Sequence, residues 1–294
     1  MKNSLLQTIF IIVFVTLLYG CPAETPDAPD ITKDGITSGR VNTDGKFAFK
    51  YGRVDASIKL PKTANGLWPA FWMLGVDFGV VGWPLCGEID VLEMGSREGI
   101  DNAVEEKLFS GAAHWGTLAA NGSHPNYALS VLNDYSLQDD NFHLYTLKWN
   151  ENSIAIYLDL DKYPQNAPYY VMDISVDGVG EYFHKEFFIL FNLAVGGDFP
   201  RIYDMDGVTA LHARNDYLAN MYIDFVKVYD EAGNLLWEDV FEDSTLDMNK
   251  WNIEENDFGG GNNELQTYSH KNVSITTEPK SGKRCLTITA KRSK

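Results

Sequence analysis

Short segments of alternating apolar and polar residues recur along most of this chain, and they constrain its fold more than any other feature. Turn sequences such as Asp44-Gly45, Asn121-Gly122 and Asp177-Gly178 separate them. The alternating runs occupy residues 46–50, 52–60, 89–94, 143–149, 153–158, 187–195, 222–229 and 285–290. Outside these runs, a helical turn is expected only around residues 211–218. Many short strands with frequent turns predict an all-β sandwich of two antiparallel sheets.

Three acidic residues interrupt one of these runs. The segment GEIDVLEM, residues 87–94, has the apolar content of a buried strand but contains Glu88, Asp90 and Glu93. In a regular strand Glu93 would face away from the other two. A β-bulge at residues 91–92 would turn Glu93 to their side. Two glutamates on one face suit retaining glycoside hydrolysis, in which one attacks the anomeric carbon and the other serves as acid and then base. A solvated strand edge is the alternative, which the apolar neighbours disfavour.

Composition and charge narrow the class of partner. The chain has 294 residues, enough for one large β domain, and its 45% hydrophobic content includes 15 Tyr, 16 Phe and 7 Trp. The formal net charge is −17, which repels nucleic acid and disfavours sulfated galactans as substrates. We therefore expect a neutral polysaccharide or oligosaccharide as partner and a monomeric protein.

The first residues predict export. Residues 1–20 contain one Lys and an apolar stretch of signal-peptide length that is too short for a secure membrane span. The sequence LYGC at residues 18–21 resembles a bacterial lipobox, which would make Cys21 the lipid-bearing residue of an outer-membrane or cell-surface protein. Simple secretion is the alternative. Residues 21–34 are rich in Pro and acidic residues and predict a flexible tether, with the catalytic domain at residues 35–294.

The remaining cysteines and the histidines give little sign of cross-links or metals. Cys86 and Cys285 could form a disulfide in an oxidising compartment, but we predict two separate buried thiols. The six histidines contain no HExxH pattern, so no catalytic metal or other catalytic cofactor is expected. We interpret His143 as a core histidine.

Around the acidic motif the sequence resembles a known family. The stretches GLWPAFWML (residues 66–74), WPLCG (83–87) and EIDVLE (88–93) are similar to laminarinase-type endo-β-1,3-glucanases of glycoside hydrolase family 16. The resemblance implies a β-jelly-roll and retaining endo-hydrolysis of laminarin-type β-1,3-glucan. It assigns Glu88 as nucleophile, Glu93 as acid/base and Asp90 as the residue between them. Mixed-linkage β-1,3-1,4-glucanase, β-glucan transglycosylase and non-catalytic β-glucan-binding protein stay open as alternatives.

The same resemblance implies further substrate contacts. Indole rings can pack on the apolar faces of sugars while hydroxyls keep their hydrogen bonds, although tryptophans in a sandwich often belong to the core. The expected contacts come from Trp68, Trp72, Trp83, Trp115, Arg40, His114, Asn192, Asn263 and Glu264. We expect His114 to bond near the acid/base. Arg40 could instead form a surface ion pair, and Asn263 with Glu264 could merely cap a turn. A structural calcium, bound by Asp224 and the Gly282 carbonyl, is the one metal that the resemblance suggests.

The order of segments differs from that of the family. Residues 235–291, which include GNNELQ at 261–266, resemble the usual beginning, whereas residues 221–229 resemble the usual end. Only five residues of turn-forming composition, 230–234, join the two. We interpret the chain as a circular permutant, which requires that the ends of the ancestral domain lie close together. A truncated tandem repeat is the alternative.

Overall fold

The computed structural model describes residues 35–256 and 261–293. The signal segment, the tether and Cys21 lie outside the described residues, so those expectations stay predictions. Within the described residues almost all regular structure is β, in two sheets whose strand pairs are antiparallel except for one parallel pair. This confirms the all-β jelly-roll expectation.

The described strands are numbered in chain order. The larger sheet has the order β10-β9-β8-β3-β12-β17-β1-β15, with β13 beside β12 and β16 beside β17. Its strands are β1 (Ile36–Ser38), β3 (Gly52–Lys59), β8 (His143–Trp149), β9 (Ser153–Leu158), β10 (Tyr170–Asp173), β12 (Leu218–Tyr229), β13 (Leu235–Asp239), β15 (Thr267–Tyr268), β16 (Val273–Thr277) and β17 (Arg284–Arg292). The smaller sheet has the order β14-β2-β11-β4-β5-β6-β7. Its strands are β2 (Arg40–Asn42), β4 (Leu67–Gly75), β5 (Glu88–Met94), β6 (Leu108–His114), β7 (Asn126–Leu132), β11 (Phe187–Val195) and β14 (Asn252–Ile253).

Helices are short in the described residues. They comprise α1 (Phe78–Val81), α2 (Arg97–Asp101) and single 3₁₀ turns at Gly180–Tyr182, Ala213–Asn215 and His270–Asn272. The turn at 213–215 falls where the sequence predicted one. Among these residues, none of the helices is long and apolar enough to cross a lipid bilayer.

Strand β11 shows how the alternation builds the sandwich. Its residues Ile189, Phe191 and Leu193 belong to the core between the sheets, whereas Phe188 and Asn192 line a cleft on the opposite face. All nine residues of the strand are buried, because both faces are covered. The smaller sheet therefore contributes one face to the core and the other to the cleft.

The strands after residue 234 complete both sheets. Strand β13 pairs with β12, with Val226 opposite Asp239, and β17 pairs with β1, with Ile36 opposite Arg292. The β12–β13 pairing places Tyr229 opposite Leu235, so the ends of the ancestral domain lie close together, as the circular-permutation interpretation requires. Ser293 N also donates to Gly35 O at 2.7 Å, so the first and last described residues are in contact.

The structure also bears on the predictions for residues 46–50, for the two cysteines and for His143. Residues 46–50 do not form the predicted strand; Phe49 makes only an isolated bridge to Phe187. Cys86 and Cys285 are separate buried thiols, as predicted. His143 is buried with Nδ1 2.7 Å from Asp159, which confirms its core position.

Candidate active site

A β-bulge in β5 brings the three acidic side chains to one face. Trp72 of β4 lies opposite Asp90, and Ala70 lies opposite Glu93, so the register shifts by one residue between the two acids. The carbonyl of Val91, inside the bulge, accepts a hydrogen bond from the Tyr169 hydroxyl. The bulge predicted from the sequence is therefore present.

The cleft that these acids line has a volume of about 600 Å³ and crosses β2, β11, β4 and β5. It brings together six of the predicted substrate contacts with all three acids. The residues that line it include Arg40, Trp68, Trp72, Phe78, Trp83, Glu88, Asp90, Glu93, Asn192, Glu254, Asn262 and Glu264. Predicted residues separated by more than 200 positions thus share one cleft.

Burial dominates the electrostatics of the acidic row. It raises the pKa of Glu93 to about 8, and the charge of Asp90 adds to this effect, while His114 and a hydrogen bond from Trp68 oppose it. Burial likewise raises the pKa of Glu88 well above its ordinary value, with a further contribution from Asp90. The pKa of Asp90 is also raised by burial. Near neutral pH the three carboxyls are therefore not all ionised together, and they share the protons that remain.

Two tryptophans of β4 are held in the cleft by specific hydrogen bonds. Trp68 Nε1 donates to Glu93 Oε1 at 3.0 Å, and its ring stacks on Phe199 with centroids 5.0 Å apart. Trp72 Nε1 donates to Asn192 Oδ1 at 2.7 Å. Both rings are partly exposed to the cleft. These fixed indoles flank the acids as sugar-binding platforms would.

The C-terminal segment builds one end of the cleft around Arg40. The buried guanidinium lies 3.5 Å from Glu254 and 4.0 Å from Glu264, and it stacks over the Tyr268 ring at 4.4 Å. Glu264 accepts from the Tyr268 hydroxyl at 3.0 Å. Arg40 thus forms ion pairs, which was the alternative to a substrate contact. These ion pairs lie within the cleft wall rather than at the protein surface. Glu254 leaves part of its carboxylate exposed there.

Two residues predicted to contact the substrate, Asn263 and Trp115, do not line the cleft. Asn263 has a positive φ of 55° and donates its amide to Asp198, whereas its neighbour Asn262 lines the cleft. Trp115 packs edge-on against Phe183 and the core, and it does not line the cleft.

His114 contacts the opposite end of the acidic row from that predicted. Its Nε2 lies 3.3 Å from Asp90 Oδ2 and 4.0 Å from Glu88 Oε1, because His114 lies opposite Glu88 in the β5–β6 pairing. The expectation of a contact near Glu93 is therefore wrong.

Other cleft residues gave no signal in the sequence. Glu254 directly follows the two-residue strand β14, which alternation does not mark, and Phe78 is the first residue of the short helix α1 after β4. Asn262 could have been found, since it adjoins the predicted Asn263. Resolving which of the two faces the cleft requires the backbone conformation of the turn.

The residues suggested for calcium do not fit that ion. Asp224 occupies a bulge in β12 opposite Ser57, and its Oδ2 accepts from Lys283 Nζ and, at 3.4 Å, from the Ser57 hydroxyl. Lys283, next to Gly282, already supplies a positive charge to this carboxylate. The expected calcium site is therefore not supported.

The donor atoms of Glu88, Asp90 and His114 lie within 4.8 Å of one another, a separation that a metal ion could bridge. His114 directs its second ring nitrogen to another histidine, and Trp68 and Trp72 flank the acids. We assign this group to proton sharing.

The fold and the cleft together define a class: β-jelly-roll proteins with an indole-lined cleft over a bulged row of carboxylates. The chain belongs to glycosyl hydrolases family 16, whose model matches residues 23–168. A GH16 protein of the Bacteroides ovatus mixed linkage glucan PUL, solved with a G4G4G3G product, is 42% identical; the match has a TM-score of 0.57 and covers 66% of this chain and 79% of that one.

Two curated relatives carry different names. Glucan endo-1,3-beta-glucosidase A1 of Niallia circulans is 34% identical over 66% of this chain and 26% of its own length. The Beta-1,3-glucan-binding protein of Penaeus monodon is 30% identical over 72% of this chain and 60% of its own length. The chain thus spans between about a quarter and three fifths of these two relatives.

Proposed function

We propose that this protein hydrolyses internal bonds of a β-1,3-glucan of the laminarin type with retention of anomeric configuration. The bulge that aligns Glu88, Asp90 and Glu93 in one cleft carries this proposal. Family membership supports β-glucan hydrolysis as the reaction class.

Glu88 acts as the nucleophile and Glu93 as the acid/base. Because the pKa of Glu93 is raised to about 8, its carboxyl is protonated at neutral pH and can donate a proton to the leaving oxygen. Glu88 attacks the anomeric carbon and forms a glycosyl ester. Esterification removes the charge of Glu88, so Glu93 ionises more readily and deprotonates the incoming water. Asp90 lies between the two and holds a hydrogen bond or a proton.

The mixed-linkage β-1,3-1,4-glucan is the second candidate substrate. It is favoured by the 42% identity to the Bacteroides ovatus protein, compared with 34% for the Niallia circulans glucanase. Products from laminarin, barley mixed-linkage glucan, agarose and carrageenan distinguish the two. We expect laminarin oligosaccharides to dominate; cleavage of the barley glucan alone would overturn the laminarin assignment.

The same product analysis distinguishes a hydrolase from two other classes of protein. A non-catalytic glucan-binding protein would release no sugars, and the presence of both glutamates argues against it. A transglycosylase would give products longer than its substrate in the presence of acceptor oligosaccharides. Proton NMR of the first product tests retention, because a β-anomer must appear before mutarotation.

A further inference from the structure

A second histidine extends the acidic row on the side of His114. His114 Nδ1 and His124 Nε2 are 2.8 Å apart, a hydrogen-bond distance that requires a proton between them. The β6–β7 pairing places His114 opposite Asn126, so the connecting loop returns His124 beside His114. The edge of His124 packs on the cleft indole of Trp83, with centroids 4.5 Å apart.

The surroundings of His124 favour its neutral form. Burial and the charge of His114 both lower the pKa of His124, and two imidazoles in contact do not readily carry charge together. Nδ1 on the far side of the His124 ring is buried and has no hydrogen-bond partner among the described residues, so Nε2, 2.8 Å from His114, is the ring nitrogen of His124 that has one. A neutral His124 with its proton on Nδ1 presents Nε2 as the acceptor of a hydrogen bond from His114.

His114 has the opposite surroundings. Its Nε2 faces Asp90 Oδ2 at 3.3 Å and Glu88 Oε1 at 4.0 Å, and Asp90 Oδ2 is buried without a hydrogen-bond partner among the described residues. The charged groups facing this imidazole are Glu88, Asp90 and, farther along β5, Glu93. Carboxylates on one side and a neutral acceptor on the other stabilise an imidazolium with both nitrogens protonated.

We propose that His124 is a positioning residue that accepts the Nδ1–H of His114 and thereby holds the protonated Nε2 against Asp90 and Glu88. The positive charge favours the ionised form of Glu88 that attacks the anomeric carbon, against the burial that disfavours it. This inference rests on the proposed function and adds to it a residue outside the acidic motif.

The test compares two variants of matched size in the full-length protein. His124→Phe keeps a ring against Trp83 but has no acceptor, whereas His124→Gln places an amide oxygen near the position of Nε2. The profile of kcat/KM against pH is measured on laminarin and barley glucan, with EDTA present. For His124→Phe we expect the acid limb to move upward by about one pH unit, because Glu88 loses its stabilised cation. His124→Gln should restore most of the wild-type limb.

A spectroscopic measurement separates this proposal from the proposed function. With ¹⁵N-labelled protein, a slowly exchanging imidazole N–H of His114 should appear in the wild type and in His124→Gln and be absent in His124→Phe. If His124→Phe does not fold, His124→Leu removes the acceptor with a smaller apolar side chain. An unmoved acid limb, or a Gln variant as impaired as Phe, overturns the positioning role. A wild type without hydrolytic activity but with the N–H signal refutes the proposed function instead.

Discussion

At the scale of single residues, the proton on Glu93 decides which chemistry the cleft can perform. Burial, the nearby Asp90 and the Trp68 hydrogen bond act on one carboxyl, and the first two prevail, so its pKa rises to about 8. Glu88 lies five residues before Glu93 in the sequence, and its carboxyl is also buried. The proposed acid and the proposed nucleophile thus differ by their neighbours rather than by residue type.

Glu88→Gln and Glu93→Gln should each lower kcat on natural β-glucan by about 100-fold or more, because each removes a group that acts in the transition state. The loss for Glu93→Gln should be smaller on aryl glycosides with activated leaving groups, which need little protonation. Steady-state rates on both substrates measure the difference. Equal losses on the two substrates would contradict the acid role of Glu93.

The raised pKa of Glu93 also has a consequence for stability. Its folded pKa of about 8 exceeds the ordinary value of 4.5, so the stability it contributes is fully present below pH 4.5 and is lost as the pH rises through 8. Between pH 5 and pH 9 the free energy of unfolding should therefore fall less for Glu93→Gln than for the wild type. The two decreases should differ by about 1–3 kcal/mol.

Urea unfolding at the two pH values measures this difference. The exposed Glu242→Gln is the matched control and should follow the wild type. A wild type whose stability did not decline more steeply with pH than that of Glu93→Gln would show that the buried carboxyl is not protonated.

At the scale of elements, the strand pattern was predictable where alternation is strong and the loops were not. The bulge in β5 followed from three acids in an apolar strand, since only one extra residue puts all three on one face. Trp115 could also have been excluded from the cleft, because it directly follows His114, whose side chain reaches the acidic row, and adjacent residues of an extended chain point to opposite faces. Asn263 was beyond reach of this reasoning: its left-handed conformation turns it to Asp198 and leaves Asn262 facing the cleft.

The ion pair between Asp224, at the bulge in β12, and Lys283 predicts that calcium has little effect on stability. Because Lys283 already neutralises Asp224, millimolar Ca²⁺ or EDTA should shift the Tm by less than about 1 °C. Differential scanning fluorimetry measures both shifts. Lys283→Met is the informative variant: it removes the charge from the carboxylate, and any calcium response should appear there first. A large stabilisation of the wild type by Ca²⁺ would restore the calcium site.

At the scale of the whole molecule, the order of the segments along the chain can be interpreted only when the sequence resemblance and the strand pairing are considered together. The C-terminal segment supplies Glu254, Asn262 and Glu264 to the cleft and β17 to the larger sheet. We therefore propose a single permuted domain rather than a truncated repeat. The sequence alone could not decide this, because pairing between distant strands is visible only in the fold.

Deleting residues 235–294 should abolish cooperative unfolding and activity. The deletion removes β17 from between β12 and β1 together with the buried core residues Leu286, Ile288 and Ala290. Thermal unfolding by circular dichroism measures the loss. A truncated protein that stayed cooperative and active would show that the tail is an accessory.

The matched control restores the family order by placing residues 235–293 before residue 35. Ser293 and Gly35 are hydrogen-bonded, so a direct junction is geometrically feasible, and the chain opens at the connector 230–234. This rearranged protein should fold and keep its activity. Its failure to fold alongside an active truncation would reject the permutation.

The position of β17 also affects how the polypeptide folds during synthesis. Both of its neighbours, β12 and β1, are translated earlier, and each presents an unpaired edge to the other across a gap one strand wide. Exposed strand edges of this kind promote association between nascent chains. Under the proposed permutation the ancestral order makes this strand early, whereas here the ribosome delivers it late, so the larger sheet closes only after residues 284–292 emerge.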